Sequence, residues 1–202
     1  MPPHHNGPVN FYVRPQNPHL HMINVGEQIV SSYLKYVRGC EFIQTNLYTL
    51  ETQGEIDVIG IDLDKKKLYV CEVAIHLTTG LQYTKDKRPN NISKLSEKLS
   101  RDIEYARKYF KDYEAEFMLW SPVVKLRKNS PIYNQIAHLD EIARSIFKSH
   151  NTTITFVVND KFQNCLQEMR NYAKSQSAEL KCPVMRLFQI EETLKKHLHT
   201  AA

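Results

Sequence analysis

Two consecutive apolar, β-branched runs that carry acidic side chains constrain the fold more than any other part of this chain. The first run covers Gly54–Asp62 and the second covers residues 68–76, with the short polar segment 64–67 between them. Apolar runs of this length, bounded by turn-forming residues, predict buried β-strands. We therefore expect the two runs to form an antiparallel hairpin near the centre of the fold.

The acidic side chains of the first run need a partner, because an unpaired buried charge costs several kcal/mol. Side chains two residues apart share one face of a strand. We therefore expect Glu55 and Asp57 on one face, and Ile56 and Val58 on the opposite face.

The same count places Glu72, Ala74 and His76 on one face of the second strand. A hairpin that brings Asp57 near Glu72 needs a cation between the two carboxylates. A hard divalent ion is expected, because such ions take oxygen ligands and keep waters available for chemistry. The pattern thus predicts a Mg²⁺ or Mn²⁺ site at Asp57 and Glu72, with Glu55 as a further ligand.

A combination of short motifs resembles a known family. Gly-Glu-Ile-Asp stands at 54–57, Glu-Val at 72–73 and an upstream Gly-Glu at 26–27. This combination is similar to the PD-(D/E)XK nuclease superfamily, and within it to Holliday-junction-resolvase-like proteins, over residues 24–121. The resemblance implies a restriction-endonuclease-like core of helix, three-strand meander, helix and strand. It also implies metal-dependent hydrolysis of phosphodiester bonds.

One position departs from that pattern. The lysine of the superfamily motif should stand two residues after Glu72, where this chain has Ala74. In the family, this lysine orients or activates the attacking water and stabilises charge on the phosphate, and alanine does neither. The resemblance therefore implies the fold more strongly than it implies catalysis.

A helix predicted over residues 91–112 bears on the missing lysine, because some members of the superfamily supply the cation from a neighbouring helix. On its helical wheel Lys94 and Arg101 point well away from the apolar stripe, whereas Lys98 lies at about a right angle to its centre. Lys98 is thus the first candidate, with Lys94 behind it. His76 is the alternative, as a base or a phosphate ligand. Ordinary surface lysines and a hydrogen-bonded strand-end histidine also fit the pattern.

A second helix is predicted over residues 24–37, with Asn24 as its N-cap. Glu27 lies in its first turn, where the helix dipole favours an anion, so a purely structural role is available. The resemblance implies instead that Glu27 leans over the metal site and assists catalysis.

The rest of the chain alternates strands with helices, which predicts an α/β fold with parallel additions to one mixed sheet. We expect an irregular arm over residues 1–23, where residues 9–13 add an edge strand, and a single domain over 24–202 with its core at 24–121 and an extension at 122–202. Strands are expected at 41–50, 116–121, 153–158 and 184–188, and helices at 131–150, 160–177 and from Glu191.

Composition excludes several classes of protein. The chain has 202 residues, of which 42% are hydrophobic and 24% charged, as in soluble globular proteins. It has no apolar run of membrane-spanning length and no signal-peptide pattern, and its four cysteines are scattered. We therefore expect a cytoplasmic protein that does not bind membranes.

Basic residues concentrate just after the acidic strands. Residues 85–128 hold 12 Lys and Arg against 7 Asp and Glu, in a chain of net charge +5. Lysine and arginine contacts to phosphate supply most sequence-independent affinity for nucleic acid. A mixed-charge solvated face is the ordinary alternative. The candidate nucleic-acid ligands, with DNA expected rather than RNA, are Lys85, Lys87, Arg88, Lys94, Lys125, Arg127 and Lys128.

Three functions stay open at this stage. The first is a metal-dependent nuclease. The second is a catalytically impaired nuclease-fold protein that acts as a nucleic-acid-binding module or a subunit of an assembly. The third is unrelated chemistry on an α/β sheet, for which the chain offers no glycine-rich phosphate loop and no Gly-x-Ser-x-Gly motif. Members of the superfamily often pair to cut two strands, so a homodimer is also expected, although no apolar surface stripe in the sequence demands one.

Overall fold

The two acidic strands lie side by side in the computed structural model, which describes residues 24–49 and 54–200. The strands are β1 (Phe42–Thr49), β2 (Gly54–Asp62), β3 (Lys67–Val73), β4 (Thr84–Lys85), β5 (Arg88–Pro89), β6 (Glu114–Ser121) and β7 (Ile154–Val158). The helices are α1 (Val25–Tyr36), α2 (Asn91–Tyr109), α3 (Gln135–His150), α4 (Asp160–Ser175) and α5 (Pro183–Thr200).

Five of these strands form one mixed sheet in the order β1-β2-β3-β6-β7. The first three run antiparallel, as the predicted meander, whereas β3, β6 and β7 are mutually parallel. The predicted α/β class with a mixed sheet is therefore confirmed. Strands β4 and β5 form a separate short hairpin.

Helices cover both faces of the sheet. Helices α1, α4 and α5 pack on one face around Trp120 and Tyr33, and α2 and α3 pack on the other around Leu119 and Leu95. Buried side chains of β3 alternate between the two layers, so this strand is apolar along most of its length. Its burial on both faces explains why Glu72 is removed from water.

Helix α1 is pressed against the end of β3 at its first turn. Asn24 caps the helix, and its Oδ1 accepts hydrogen bonds from the backbone N–H groups of Gly26 at 3.1 Å and Glu27 at 3.4 Å. A Cβ on Gly26 would collide with the side chain of Ile75. Glycine therefore permits the close approach that brings Glu27 to the acidic strands.

The alternation predicted for β2 is wrong at one point. Ile56 packs in the α2–α3 layer, whereas Val58 packs in the layer of α1, α4 and α5. In the register of β1 with β2, Thr45 opposes Val58 and Leu47 opposes Ile56, and Asn46 between them has a left-handed φ of 52°. This local distortion lies opposite Asp57 and ends the strict two-residue period there.

Residues 184–188 form part of α5 and not the predicted strand. Pro183 stands at the first helical position, where its missing N–H costs nothing. Met185, Phe188 and Gln189 are buried at helical spacing. The helix expected from Glu191 thus begins eight residues earlier. A helix in this segment buries side chains at helical spacing against α4, which a strand would not do.

Other boundaries differ slightly from the expectations. Strand β3 ends at Val73, so His76 lies beyond it, and Pro131–Tyr133 form a separate 3₁₀ turn before α3. The expected arm at 1–23, including the strand at 9–13, lies outside the described residues. Large apolar side chains are exposed along α5, namely Leu187, Ile190, Leu194 and Leu198. Among the described helices, none combines the length and apolar character needed to cross a membrane.

Candidate functional site

Asp57 and Glu72 converge on one cationic group, the ammonium of Lys98. Lys98 Nζ donates a hydrogen bond to Glu72 Oε2 and lies 3.8 Å from Asp57 Oδ1. The second Asp57 oxygen, Oδ2, accepts a hydrogen bond from the backbone N–H of Val73 at 2.7 Å. The structure thus brings together the two predicted acids, from neighbouring strands, and the predicted lysine, from helix α2.

Glu72 is the most deeply buried member of this group, with a side chain that is 1% exposed. Burial raises the pKa of Glu72 well above its usual range, and the charge of Asp57 raises it further, against the opposing effect of Lys98. Its Oε1 atom is buried and has no hydrogen-bond partner among the described residues. The guanidinium of Arg101 is the positive group that faces this oxygen, with Nη2 at 3.9 Å.

Lys98 keeps its charge in this setting. Burial lowers the pKa of Lys98, but Glu72 and Asp57 outweigh that effect, so the net pKa lies above its ordinary value. Its side chain is 18% exposed, which leaves the ammonium at the border between the buried carboxylates and solvent.

Arg101 also faces the acidic strands, so the expectation that it points away from the packed side of α2 is wrong. Its Nη2 donates to the backbone oxygen of Glu55 at 2.7 Å and to Asp102 Oδ1 at 3.1 Å, and it lies 3.9 Å from Glu72 Oε1. The guanidinium crosses Gly54, where a Cβ would collide with it. A helical wheel gives only the direction in which a residue leaves the helix axis. The arginine side chain is long enough to reach back to the packed side of the helix, which the wheel does not show.

Asp102 belongs to the site although sequence reasoning did not select it. Its carboxyl is almost wholly buried, and Oδ2 has no hydrogen-bond partner among the described residues. Burial raises the pKa of Asp102 to about 7, against the opposing charge of Arg101. An available signal was its position four residues after Lys98, beside the apolar stripe of α2, since residues four apart share a helix face.

Glu27 brings a third carboxylate to the two acidic strands from the first turn of α1. Burial raises its pKa and so does the charge of Asp57, while the side chains of Asn46 and Asn24 act in the opposite direction. The amide of Asn24 donates a hydrogen bond to Glu27 Oε1. The side chain of Glu55 is exposed, and its backbone oxygen is what holds Arg101.

Tyr83, which the sequence did not single out, lies beside the cluster. Burial raises its pKa, Lys98 lowers it, and the charges of Glu72 and Asp57 raise it. The exposed ring of His76 meets Tyr83 edge-on, with 6.2 Å between ring centroids. His76 makes no hydrogen bond or ion pair with an acidic residue in the described part of the chain, and it reaches the site only through Tyr83.

Asp57 and Glu72 carry oxygen donors of the kind that a hard divalent metal ion takes. Asp57 Oδ1 and Glu72 Oε1 are oxygen donors without a close hydrogen-bond partner among the described residues. Within residues 24–49 and 54–200, no three His, Cys, Asp or Glu side chains are grouped closely enough to hold a metal. Mg²⁺ is commonly bound through one or two carboxylates with its remaining positions taken by water, so two carboxylates suffice.

The predicted nucleic-acid ligands gather at the same edge of the sheet. Strands β3 and β6 are parallel, so the segments that follow them leave the sheet together. Lys125 Nζ donates to the backbone oxygen of Thr78 at 2.5 Å, which ties the two segments to each other. The exposed basic side chains are Lys85, Lys87 and Arg88 on or beside the β4–β5 hairpin and Arg127 and Lys128 after β6.

Lys94 lies on α2, one turn before Lys98, and is 43% exposed. Its ammonium is 3.9 Å from the carboxylate of Glu97, so it lies apart from the buried acids. Lys98, and not Lys94, is therefore the lysine of α2 that meets Asp57 and Glu72.

The chain was compared with protein-family models, curated proteins and solved structures. No protein-family model, curated protein or solved structure matches the chain.

Proposed function

We propose that this protein is a metal-dependent nuclease with a restriction-endonuclease-like core, which hydrolyses phosphodiester bonds in nucleic acid, DNA rather than RNA. One observation carries the proposal: Asp57 and Glu72, from neighbouring strands, converge on the ammonium of Lys98. Taking two carboxylates and a lysine out of water together carries a desolvation cost even when they are paired, and such clusters with shifted pKa values are common at functional sites. Their convergence therefore supports a chemical role.

Each residue has a distinct task in this proposal. Asp57 Oδ1 and Glu72 Oε1 would hold Mg²⁺ or Mn²⁺, and Glu27 would add negative charge from α1. When bound, the metal supplies Lewis-acid stabilisation of the phosphate oxygens and a water of lowered pKa. Lys98 supplies the cationic group that Ala74 does not, and it orients water or phosphate at the border with solvent.

The basic side chains around the same edge support a polyanionic substrate. Lys87, Arg88 and Arg127 are exposed there, near the strand ends that carry the acidic cluster. Such contacts hold the phosphate backbone without reading the base sequence. The affinity for nucleic acid should accordingly fall steeply as the salt concentration rises.

A second candidate function is a nucleic-acid-binding module without catalysis. The observation in its favour is that Lys98 already neutralises part of the charge of Asp57 and Glu72. Ala74 is buried, and its N–H donates to the backbone oxygen of Trp120 at 2.8 Å, so this position serves the sheet.

A cleavage assay separates the two functions. The purified protein is incubated with linear, branched and single-stranded DNA, and with RNA, in Mg²⁺ or Mn²⁺. Nuclease function predicts cleavage by the native protein and its loss in Asp57→Asn and Glu72→Gln. Glu97→Gln is the matched control, because Glu97 is an exposed acid on α2. Binding without cleavage in either metal would leave the binding module as the function.

A homodimer and a cytoplasmic location stay predictions. A dimer would place two cleavage sites on opposite strands of a duplex. Sedimentation of the full chain, with and without duplex DNA, measures whether the protein is a dimer.

A further inference from the structure

A cleft of about 180 Å³ lies at the start of α2, about two helical turns before Lys98. Its walls include Gln82, Arg127 and Tyr133, and its floor includes Asn91 and His138. No acidic side chain lines it. The cleft therefore offers hydrogen-bond donors, one cation and an aromatic ring.

The floor residue His138 has a defined tautomer. Asn91 Oδ1 accepts a hydrogen bond from the backbone N–H of Tyr83 at 2.6 Å, so its Nδ2 is the donor end of the amide. That Nδ2 donates to the backbone oxygen of Leu81 at 2.8 Å and lies 3.0 Å from His138 Nδ1. Nδ1 must then accept, and the ring proton resides on Nε2.

This proton has no partner within the described structure. His138 is 7% exposed, and its Nε2 makes no hydrogen bond with a described residue. His138 lines the cleft, so a ligand acceptor placed there would meet this N–H donor. The buried network of Asn91 thus aims one donor into the cleft.

The side chains in the walls add groups that can bind parts of a nucleotide. The side chains of Gln82, Arg127 and Tyr133 make no hydrogen bond or ion pair with described residues, and Tyr133 is 44% exposed. An exposed aromatic ring stacks on a nucleobase of any sequence. A guanidinium binds phosphate, and an amide with a neighbouring N–H donor suits the edge of a base.

We propose that this cleft binds one unpaired nucleotide of a nucleic-acid strand. The base stacks on Tyr133 and meets Gln82 and His138 at its edge, and the phosphate lies on Arg127. The identity of the ligand as part of a substrate strand rests on the proposed function. A base inside a duplex cannot enter such a cleft without leaving the stack. The cleft therefore favours single-stranded, branched or frayed substrates.

The position of the cleft suits this role. Asn91 on its floor and Lys98 in the acidic cluster are seven residues apart on α2. At 1.5 Å per residue they are separated by about 10 Å along the helix axis. A nucleotide in the cleft and a phosphate at the cluster would therefore belong to the same short stretch of one substrate strand.

Fluorescence anisotropy with a labelled single-stranded DNA oligonucleotide and a blunt duplex of the same sequence, in EDTA, tests the cleft. Tyr133→Ala should weaken single-strand binding about tenfold, or about 1.4 kcal/mol. Tyr133→Phe keeps the ring and should keep the affinity. Tyr48→Ala, which removes an exposed tyrosine from β1, is the control. Duplex affinity should be the same for all of these proteins.

Three results would overturn the cleft assignment: no single-strand binding by the native protein, native single-strand affinity in Tyr133→Ala, or an equal loss in Tyr133→Ala on single strand and duplex. Cleavage of DNA by the native protein in Mg²⁺ or Mn²⁺ reports separately on Asp57 and Glu72. If the native protein cleaves DNA but Tyr133→Ala binds single strands with native affinity, the cleft assignment is wrong and the nuclease proposal stands. If Tyr133→Ala loses single-strand affinity selectively but the native protein does not cleave, the cleft assignment stands and the nuclease proposal is wrong.

Discussion

Replacement of Lys98 by methionine tests the central feature of the site. Methionine keeps most of the aliphatic length but removes the charge shared by Asp57 and Glu72. Loss of one partner from a buried ion pair costs about 3–5 kcal/mol. Lys98 is 18% exposed, so we expect the lower end, about 3 kcal/mol near pH 8. The cost should shrink toward pH 5, because the pKa of Glu72 is already raised by burial and a proton can replace the lysine charge.

Thermal unfolding in EDTA measures this change. For a chain of this size, 1 kcal/mol corresponds to about 2–4 °C, so the Tm of Lys98→Met should fall by about 10 °C. Lys94→Met is the matched control, since Lys94 stands one turn earlier and its ammonium pairs with the exposed Glu97. An exposed pair of that kind contributes less than about 1 kcal/mol.

Divalent metal should rescue the variant. A metal at about 100 times its Kd adds about 2.7 kcal/mol, which would restore most of the lost stability. The native protein should bind metal too, and Lys98→Met should lose turnover while keeping its affinity for nucleic acid. Equal Tm values for Lys98→Met and Lys94→Met, or no response of Lys98→Met to Mg²⁺ or Mn²⁺, would refute the shared-cation reasoning. Unchanged turnover would remove Lys98 from catalysis.

Three further substitutions follow from the structure. Burial raises the pKa of Asp102 from 3.8 to about 7, so its contribution to stability is complete below pH 4 and is lost as pH rises to about 7. Asp102→Asn should remove this pH dependence of the free energy of unfolding, which is worth up to about 4 kcal/mol. Urea unfolding between pH 4 and about 7 measures it, and the same pH dependence in both proteins would contradict the expectation. Gly54→Ala should displace the Arg101 guanidinium and cost about 1–3 kcal/mol, read from the urea midpoint, and an unchanged midpoint would show that Arg101 is not held there. Ala74→Lys places a lysine where the resembled motif has one, in a packed position, so it should cost about 1–3 kcal/mol without faster cleavage. Faster cleavage at native stability would contradict this expectation.

Much of the framework followed from local patterns. The order β1-β2-β3, the antiparallel hairpin and helix α2 depend on periodicity and on short connections, which leave the chain few alternatives. The same short connection between β2 and β3 makes the meeting of Asp57 and Glu72 predictable. Lys98 was reachable as well, because the apolar stripe of α2 indicates which side of the helix packs on the sheet.

Contacts between distant parts of the chain decided the rest. Asn46 on β1, with its left-handed backbone, ends the alternation of β2 near Asp57. The sequence of β2 alone does not predict this break. Packing on α4 turns the apolar run after Pro183 into a helix. The burial of Asp102 beside Arg101 likewise depends on which strands α2 covers. Periodicity describes one element at a time, whereas burial, charge pairing and pKa depend on neighbours that only the folded chain supplies.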